Sequence, residues 1–424
     1  MSITPDRSAK YPFLPGPVQA TITGGAGSYL HTADGRRILD AGGGAIVTNI
    51  GHGRPEAGEA AAAAMAGAAY VVPIWATEPR VRLIEHLQDR WLPEGMTRCL
   101  FVSGGSESVD SAMRIARQHH VARGDIDRWK VIGREISYHG ATLATLSAAN
   151  HDRRRATLEP MLVDQPKADF FDADAVRKLV ETEDPSTIAA LVVEPVSGAS
   201  GGALVPPDDY LPGLRSICDD HGILLICDEV MTGFGRTGEK FGVDHVGVIP
   251  DLLVGGKGLG GGYVPIGGVF ATERVVEPIA EAELTVMYFT FSGSDVACAV
   301  ADRVLTIMED EDLVARAKTM GARFAALLEE AFGDHPNVSD VRGRGMMQGV
   351  ELVKDRETGA HFGGALAPEV VAEALDRDCW IYPAGCAGVP DALLFGPPFT
   401  VSDEELQSIV EIAVASLDAA LRKR

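Results

Sequence analysis

Lys257 lies in DLLVGGKGLGGGYVPIGGV, straight after a short apolar run and inside a cluster of glycines, with no carboxylate in its immediate sequence. A lysine there is either a loop residue facing water or an amine whose proton affinity is lowered by burial, ready to attack a carbonyl. Asp228 and Glu229 close another apolar run, LLICDEVMTGFGRTG. Successive strand residues face opposite ways, so the two acids cannot share a task. Asp228 is either a plain strand-end acid bonded to nearby backbone or the partner of a heteroaromatic ring nitrogen, which it would keep protonated. The stretch SGGSE sets glycines and Ser106 ahead of a helix, where they form an ordinary cap or an anion cradle. Tyr138, followed by His139 in SYHGAT, is either half-buried core or a flat face for ring stacking.

An amine for an aldehyde, an acid for a ring nitrogen, an aromatic platform and a phosphate cradle are together what pyridoxal 5′-phosphate requires. Each feature alone is weak; their joint presence in one chain points to that cofactor.

These groups can meet only if the chain brings them together. Residues 1–50 read as an extended, turn-rich arm with strand-like pieces between Asp-Gly and Gly-Gly turns, and a helix opens at Pro55. Helix-like stretches at 78–91, 106–124 and 208–221 then alternate with strand-like runs at 98–104, 129–137, 188–196, 222–230 and 251–256. Such alternation predicts a mostly parallel sheet covered on both faces, with ligands beyond the carboxyl ends of its strands. Past residue 291, long amphipathic helices lead to a helix near 367–377, a short strand in CWIYPAG and a terminal helix from Asp403. The expected fold is therefore α/β: a large domain over 51–291 and a smaller α+β domain over 292–424, which the arm 1–50 joins.

A chain of 424 residues exceeds one compact core. With 38 Lys plus Arg against 60 Asp plus Glu, the net charge of −22 disfavours nucleic acid and anionic lipid as partners. No stretch has the length and apolarity of a membrane span. The dense basic run Arg153, Arg154 and Arg155 reads as a solvated loop, with an anion site or subunit contact as the alternative. Six scattered cysteines without a Cys-x-x-Cys pair, and an N-terminus that is polar and proline-broken, lead to the expectation of reduced thiols in the cytoplasm. Eleven histidines show no metal-ligand spacing, so no metal is expected.

The chain resembles the class III pyridoxal-phosphate aminotransferases, with the aspartate-aminotransferase type fold (fold type I). The likeness runs through GSYLHTADGRRILDAGGG, VSGGSESVDSAMRIAR, YHGATLATLS, VVEPVSGASGG, LLICDEVMTGFGRTG, DLLVGGKGLGGGYVPIGGV and VRGRGMMQGVEL. It implies that Lys257 is the Schiff-base lysine and Asp228 the partner of the pyridine nitrogen. Val230 and Tyr138 would pack on the two ring faces, with His139 among the cofactor contacts. Gly105 and Ser106 would form the phosphate loop, and Thr290 would reach the phosphate of a neighbouring subunit. Glu194 and Glu229 match acids that support the site, with Glu229 pointing away. The resemblance implies a homodimer with shared active sites, pairing of dimers into tetramers being open. It also implies ping-pong transfer of an amino group from an amine or ω-amino acid to a 2-oxo acid such as pyruvate or 2-oxoglutarate.

Departures narrow the substrate. Leu394 stands where many members carry a carboxylate-binding arginine, which leans the chain toward the amine and β-alanine:pyruvate branch. Ile46 replaces a tryptophan common in that branch, so the pocket wall should differ. Tyr288 and Phe289 are candidate pocket aromatics, and Trp75 reads as core-packed with the pocket as its alternative. An aminomutase or a decarboxylating transaminase of the same fold would use the same lysine and acid. A dinucleotide-dependent oxidoreductase fits poorly, because GYVPIGGVFA after GGKGLGG reads as strand where a helix is required. A cofactor-free binding scaffold is disfavoured by the intact Lys257, Asp228 and Ser106.

Overall fold

The structure, a computed structural model, describes residues 20–169, 171–385 and 391–424. Residues 1–19 of the expected arm and Cys386 lie outside the described residues. The described part of the arm forms three short strands, β1 (Ile22–Ala26), β2 (Tyr29–Thr32) and β3 (Arg37–Asp40), paired antiparallel in sequence.

The large sheet contains β4 (Met96–Val102), β5 (Lys130–Arg134), β6 (Lys167–Ala168), β7 (Ile188–Val193), β8 (Leu224–Asp228), β9 (Leu252–Gly255) and β10 (Gly267–Thr272). Their order across the sheet is β4-β10-β9-β8-β7-β5-β6. β10 runs antiparallel to both its neighbours, and the other pairings are parallel. Every residue of β7 (IAALVV) and β8 (LLICD) is buried. Their unbroken apolar character is what a strand covered on both faces demands.

The two faces can be followed residue by residue. Leu224, Ile226, Leu252 and Val254 pack with Val109, Ala112 and Ile115 of the helix Gly105–Ala122. Leu225, Cys227 and Leu253 face the other way, in the core that includes Leu211 and Leu214 of the helix Tyr210–His221. Continuing this alternation places Asp228 on the side of the helix Gly105–Ala122 and Glu229 on the opposite side.

Beyond residue 291, β11 (Val338–Arg344), β12 (Met347–Leu352), β14 (Tyr382–Ala384) and β15 (Ala392–Phe395) make an antiparallel sheet in the order β11-β12-β15-β14, with β13 (Cys379–Trp380) preceding β14 in the chain. The single strand expected in CWIYPAG is thus two. β13 pairs parallel with β3 of the arm and β14 pairs with β15, so this segment ties the N-terminal strands to the C-terminal sheet. The helix Asp295–Asp310 packs on Pro55–Met65 and Glu78–His86 as well as on Leu313–Phe332. The helix expected over 78–91 is α-helical only to His86. Leu87–Trp91 then widens by one residue per turn, closed by the N–H of Leu92 on the carbonyl of Leu87 at 2.8 Å. Arg153–Arg155, expected in a loop, instead belong to a single helical turn, Asp152–Arg155. Among the described residues no helix is long and apolar enough to cross a membrane, and no group of acids, histidines and cysteines could hold a metal ion.

Candidate active site

Because six strands run the same way, the segments leaving β4, β5, β7, β8 and β9 emerge at one edge of the sheet. They line a cavity of about 160 Å³ whose wall includes Gly105, Ser106, Tyr138, Glu194, Asp228 and Lys257. His139, Gly140, Val196, Ala199, Val230 and Met231 complete it. Of the residues singled out in sequence, Lys257, Asp228, Gly105, Ser106, Tyr138, His139, Glu194 and Val230 therefore meet in one place.

Lys257 follows β9 with φ of 40°, in the left-handed region that costs a non-glycine residue about 1–3 kcal/mol. The turn halts the strand and swings the amine to the cavity. Among the described residues its Nζ forms no hydrogen bond or ion pair. Burial pushes the amine below the usual lysine range, and the nearby charges of Asp228 and Glu194 oppose that effect only in part. The free amine, which is the nucleophilic form, is thereby favoured.

Asp228 is fixed by two donors. The N–H of Val230 reaches Oδ1 at 3.1 Å, and Nδ1 of His139 donates to Oδ2 at 2.8 Å. That bond leaves Nε2 of His139 buried with no partner among the described residues. Glu194 accepts from the N–H of Tyr138 at 3.0 Å and from the N–H of Gly198 at 3.1 Å, fastening the segments after β5 and β7 to each other. Its burial raises its carboxyl above the usual range, against the pull of His139 and Arg134.

Glu229 does not line the cavity. It accepts from the hydroxyl of Thr232 and from the N–H groups of Gly242 (2.9 Å) and Val243 (2.8 Å), and burial pushes its carboxyl up to about 7. It anchors the turn after β8 from the other side of the sheet, which places it apart from the cofactor contacts with which it was grouped.

At the other end of the cavity the helix Gly105–Ala122 begins, and the backbone N–H groups of its first turn have no carbonyl partner within the helix. A Cβ on Gly105 would lie 2.6 Å from Cγ1 of Val230. Gly140, at φ of 137°, lets its backbone pass Ser106, where a Cβ would come within 2.7 Å of the hydroxyl. That hydroxyl accepts the N–H of Ala141 at 3.0 Å. The site thus joins an electropositive helix end, a flat Tyr138 ring, an oriented carboxylate and an unpaired amine.

The remaining candidates lie elsewhere. Ile46 and Leu394 are buried in one apolar cluster with Val196, Ala203 and Met347, and of these only Val196 lines the cavity. Trp75 is 65% exposed, so it is neither core nor lining of this cavity. Tyr288, Phe289 and Thr290 lie on a surface segment outside the cavity of their own chain, and Thr290 is exposed. The sequence reading missed Gly140, Val196, Ala199 and Met231. Only Gly140 had a local sign, the His-Gly step in SYHGAT; Met231 follows the end of β8, where strand alternation no longer predicts direction.

Comparison with known proteins gives a consistent result. The Aminotransferase class-III family profile matches residues 15–417. An uncharacterized aminotransferase of Bacillus subtilis is 38% identical over 91% of this chain and 89% of its own. The putrescine–pyruvate aminotransferase of Pseudomonas aeruginosa is 33% identical over 94% and 90%. Among solved structures, a thermostable (S)-enantioselective omega-transaminase from Thermomicrobium roseum superposes with a TM-score of 0.89 at 34% identity, covering 96% of this chain and 93% of that one.

Proposed function

The chain belongs to the class III aminotransferase family, and from that premise we propose that its cavity holds pyridoxal 5′-phosphate, with Lys257 and Asp228 as the catalytic pair. The protein is an aminotransferase, passing an amino group from an amine-bearing donor to a 2-oxo acid. We assign the donor to the amines and ω-amino acids, a reading supported by the aliphatic Leu394 and by the putrescine–pyruvate and omega-transaminase relatives. The observation that carries the proposal is that the unpaired Lys257 amine, the Asp228 carboxylate and Tyr138 line one cavity at the start of the helix Gly105–Ala122. The unpartnered Nε2 of His139 and the clearance left by Gly105 and Gly140 fit a flat, anionic, hydrogen-bonding group.

When bound, the cofactor supplies an aldehyde for condensation with amines and a cationic ring that withdraws electrons. Asp228, held by Val230 and His139, would keep a proton on the ring nitrogen it faces. Val230 and Tyr138 would confine the ring between them, while Ser106 and the N–H groups around Gly105 would receive the phosphate. Nζ of Lys257 takes the proton from the amine-bearing carbon of the donor in one half-reaction. In the other it returns a proton to the acceptor carbon. Glu194 and Glu229 hold the loops that carry these groups.

Thr290, exposed and outside its own cavity, would complete the site of a second copy, making the protein a homodimer. The exposed apolar side chains Ile74, Trp75, Tyr288 and Phe291 support such a contact. Pairing of the arm with β13 supports the division into arm, large domain and small domain. The described cysteines are free and all but Cys99 are buried, in keeping with a reducing cytoplasm.

The test is Lys257→Ala. Turnover with an amine and pyruvate should fall by about 10²–10⁴-fold or more while the protein still folds. Borohydride treatment of the loaded wild type should place the mass label on the peptide containing Lys257. Wild-type-like turnover in the variant would reject the assignment.

A further inference from the structure

A 2-oxo acid brings a carboxylate, yet the position that often supplies an arginine for it is here Leu394, buried among apolar side chains. Apart from Lys257, no lysine or arginine lines the cavity among the described residues. The basic run 153–155 shows three different fates. Arg153 pairs with Asp391 at 3.4 Å. Arg155 is buried against Glu159 and the carbonyls of Leu146 and Ala149. The guanidinium of Arg154 instead lies over the ring of Tyr138, 4.1 Å from its centroid. Among the described residues it makes no hydrogen bond or ion pair. In a chain of net charge −22, an exposed arginine stacked on a cavity-lining ring, with its guanidinium donors free of acceptors among the described residues, is oriented but uncommitted. Its charge also reaches inward, since it is among the influences that lower the proton affinity of Lys257.

We infer that Arg154, parked on Tyr138 at the cavity, is the group that binds the carboxylate of the 2-oxo acid acceptor. The inference rests on the reading that the cavity around Lys257 is where transfer occurs. Stacking leaves the edge of the planar guanidinium available for a bidentate contact with a carboxylate. A simple amine donor has no use for this contact, whereas the carboxylate of an ω-amino acid donor would share it. With a simple amine the arginine is engaged only in the half-reaction of the 2-oxo acid.

The experiment compares wild type, Arg154→Gln and Arg154→Lys in the loaded enzyme, using pyruvate and the uncharged propanal as alternative acceptors for the amino form. It adds calorimetric titration with propanoate, a carboxylate without a reactive carbonyl. The expected result for Arg154→Gln is a loss of about tenfold to a hundredfold in kcat/KM for pyruvate, mainly through KM. Propanal should stay within about twofold, propanoate affinity should fall in parallel with pyruvate, and Arg154→Lys should recover part of the loss. Equal losses with pyruvate and propanal would mean that Arg154 serves the cofactor or the fold, and the inference would be overturned. No loss with pyruvate, or unchanged propanoate affinity, would overturn it as well. Failure of the underlying reading is seen separately, as acceptor turnover that survives Lys257→Ala.

Discussion

Asp228 uses one oxygen on the N–H of Val230 and the other on the ring N–H of His139, so the angle of its carboxylate is set before any ligand arrives. The adjacent Glu229, one peptide unit away, spends its oxygens on Thr232, Gly242 and Val243 across the sheet. Two chemically similar side chains thus separate into one that lines the cavity and one that anchors the turn behind it, as strand alternation expects. Asp228→Asn keeps the shape but removes the charge that would hold a proton on a facing ring nitrogen. Its kcat should fall by about 10²–10⁴-fold, as expected when a group acting in the transition state is removed. Stopped-flow measurement of the donor half-reaction checks this. A variant that transfers amino groups at the wild-type rate would refute the role given to the carboxylate.

At the scale of elements, the helix Glu78–His86 is fastened to Asp295–Asp310 by an ionic clamp. Nδ1 of His86 lies 2.8 Å from Asp302 and Nε2 lies 3.2 Å from Glu309, whose Oε1 also accepts from Nε1 of Trp91 at 2.9 Å. The hydrogen bond to Asp302, followed by that to Glu309, holds the imidazole above its usual pKa of 6.5, and burial opposes them. Because the folded protein binds this proton more tightly than the unfolded chain, the stabilisation is complete below the unfolded value and is lost as pH rises through the folded one. His86→Gln should therefore cost about 1–3 kcal/mol at pH 6 and less at pH 9. Urea midpoints of the two proteins at both pH values measure it; a cost independent of pH would show that packing rather than charge holds the two helices.

For the whole molecule, the surface segment carrying Tyr288, Phe289 and Thr290 and the exposed Trp75 line no part of the cavity of their own chain. Light scattering should give a dimer mass. Lys257→Ala and Thr290→Glu homodimers should each be nearly inactive, the second because a carboxylate repels an anionic phosphate. Refolding them together in equal amounts should restore about a quarter of wild-type activity. Half of randomly paired dimers are mixed, and each holds one intact site. Mixed dimers that form without recovering activity would show that Thr290 does not act across subunits.

The sequence by itself determined the sheet class and the residues at its productive edge. Apolar runs such as LLICD and IAALVV must be buried, parallel strands must end together, and the glycines around Ser106 and Lys257 announce tight backbone where the strands stop. Local patterns also placed most helices within a few residues. What sequence could not decide were contacts between distant segments: that CWIYPAG divides between two sheets, that Trp75 is exposed, that Ile46 and Leu394 share an apolar cluster with Val196 without lining the cavity, and that Arg154 alone of three adjacent arginines folds over Tyr138. Periodicity reports which side of an element is apolar. It carries no information about which other element comes to rest there, because that choice depends on the summed packing of side chains far apart in the chain.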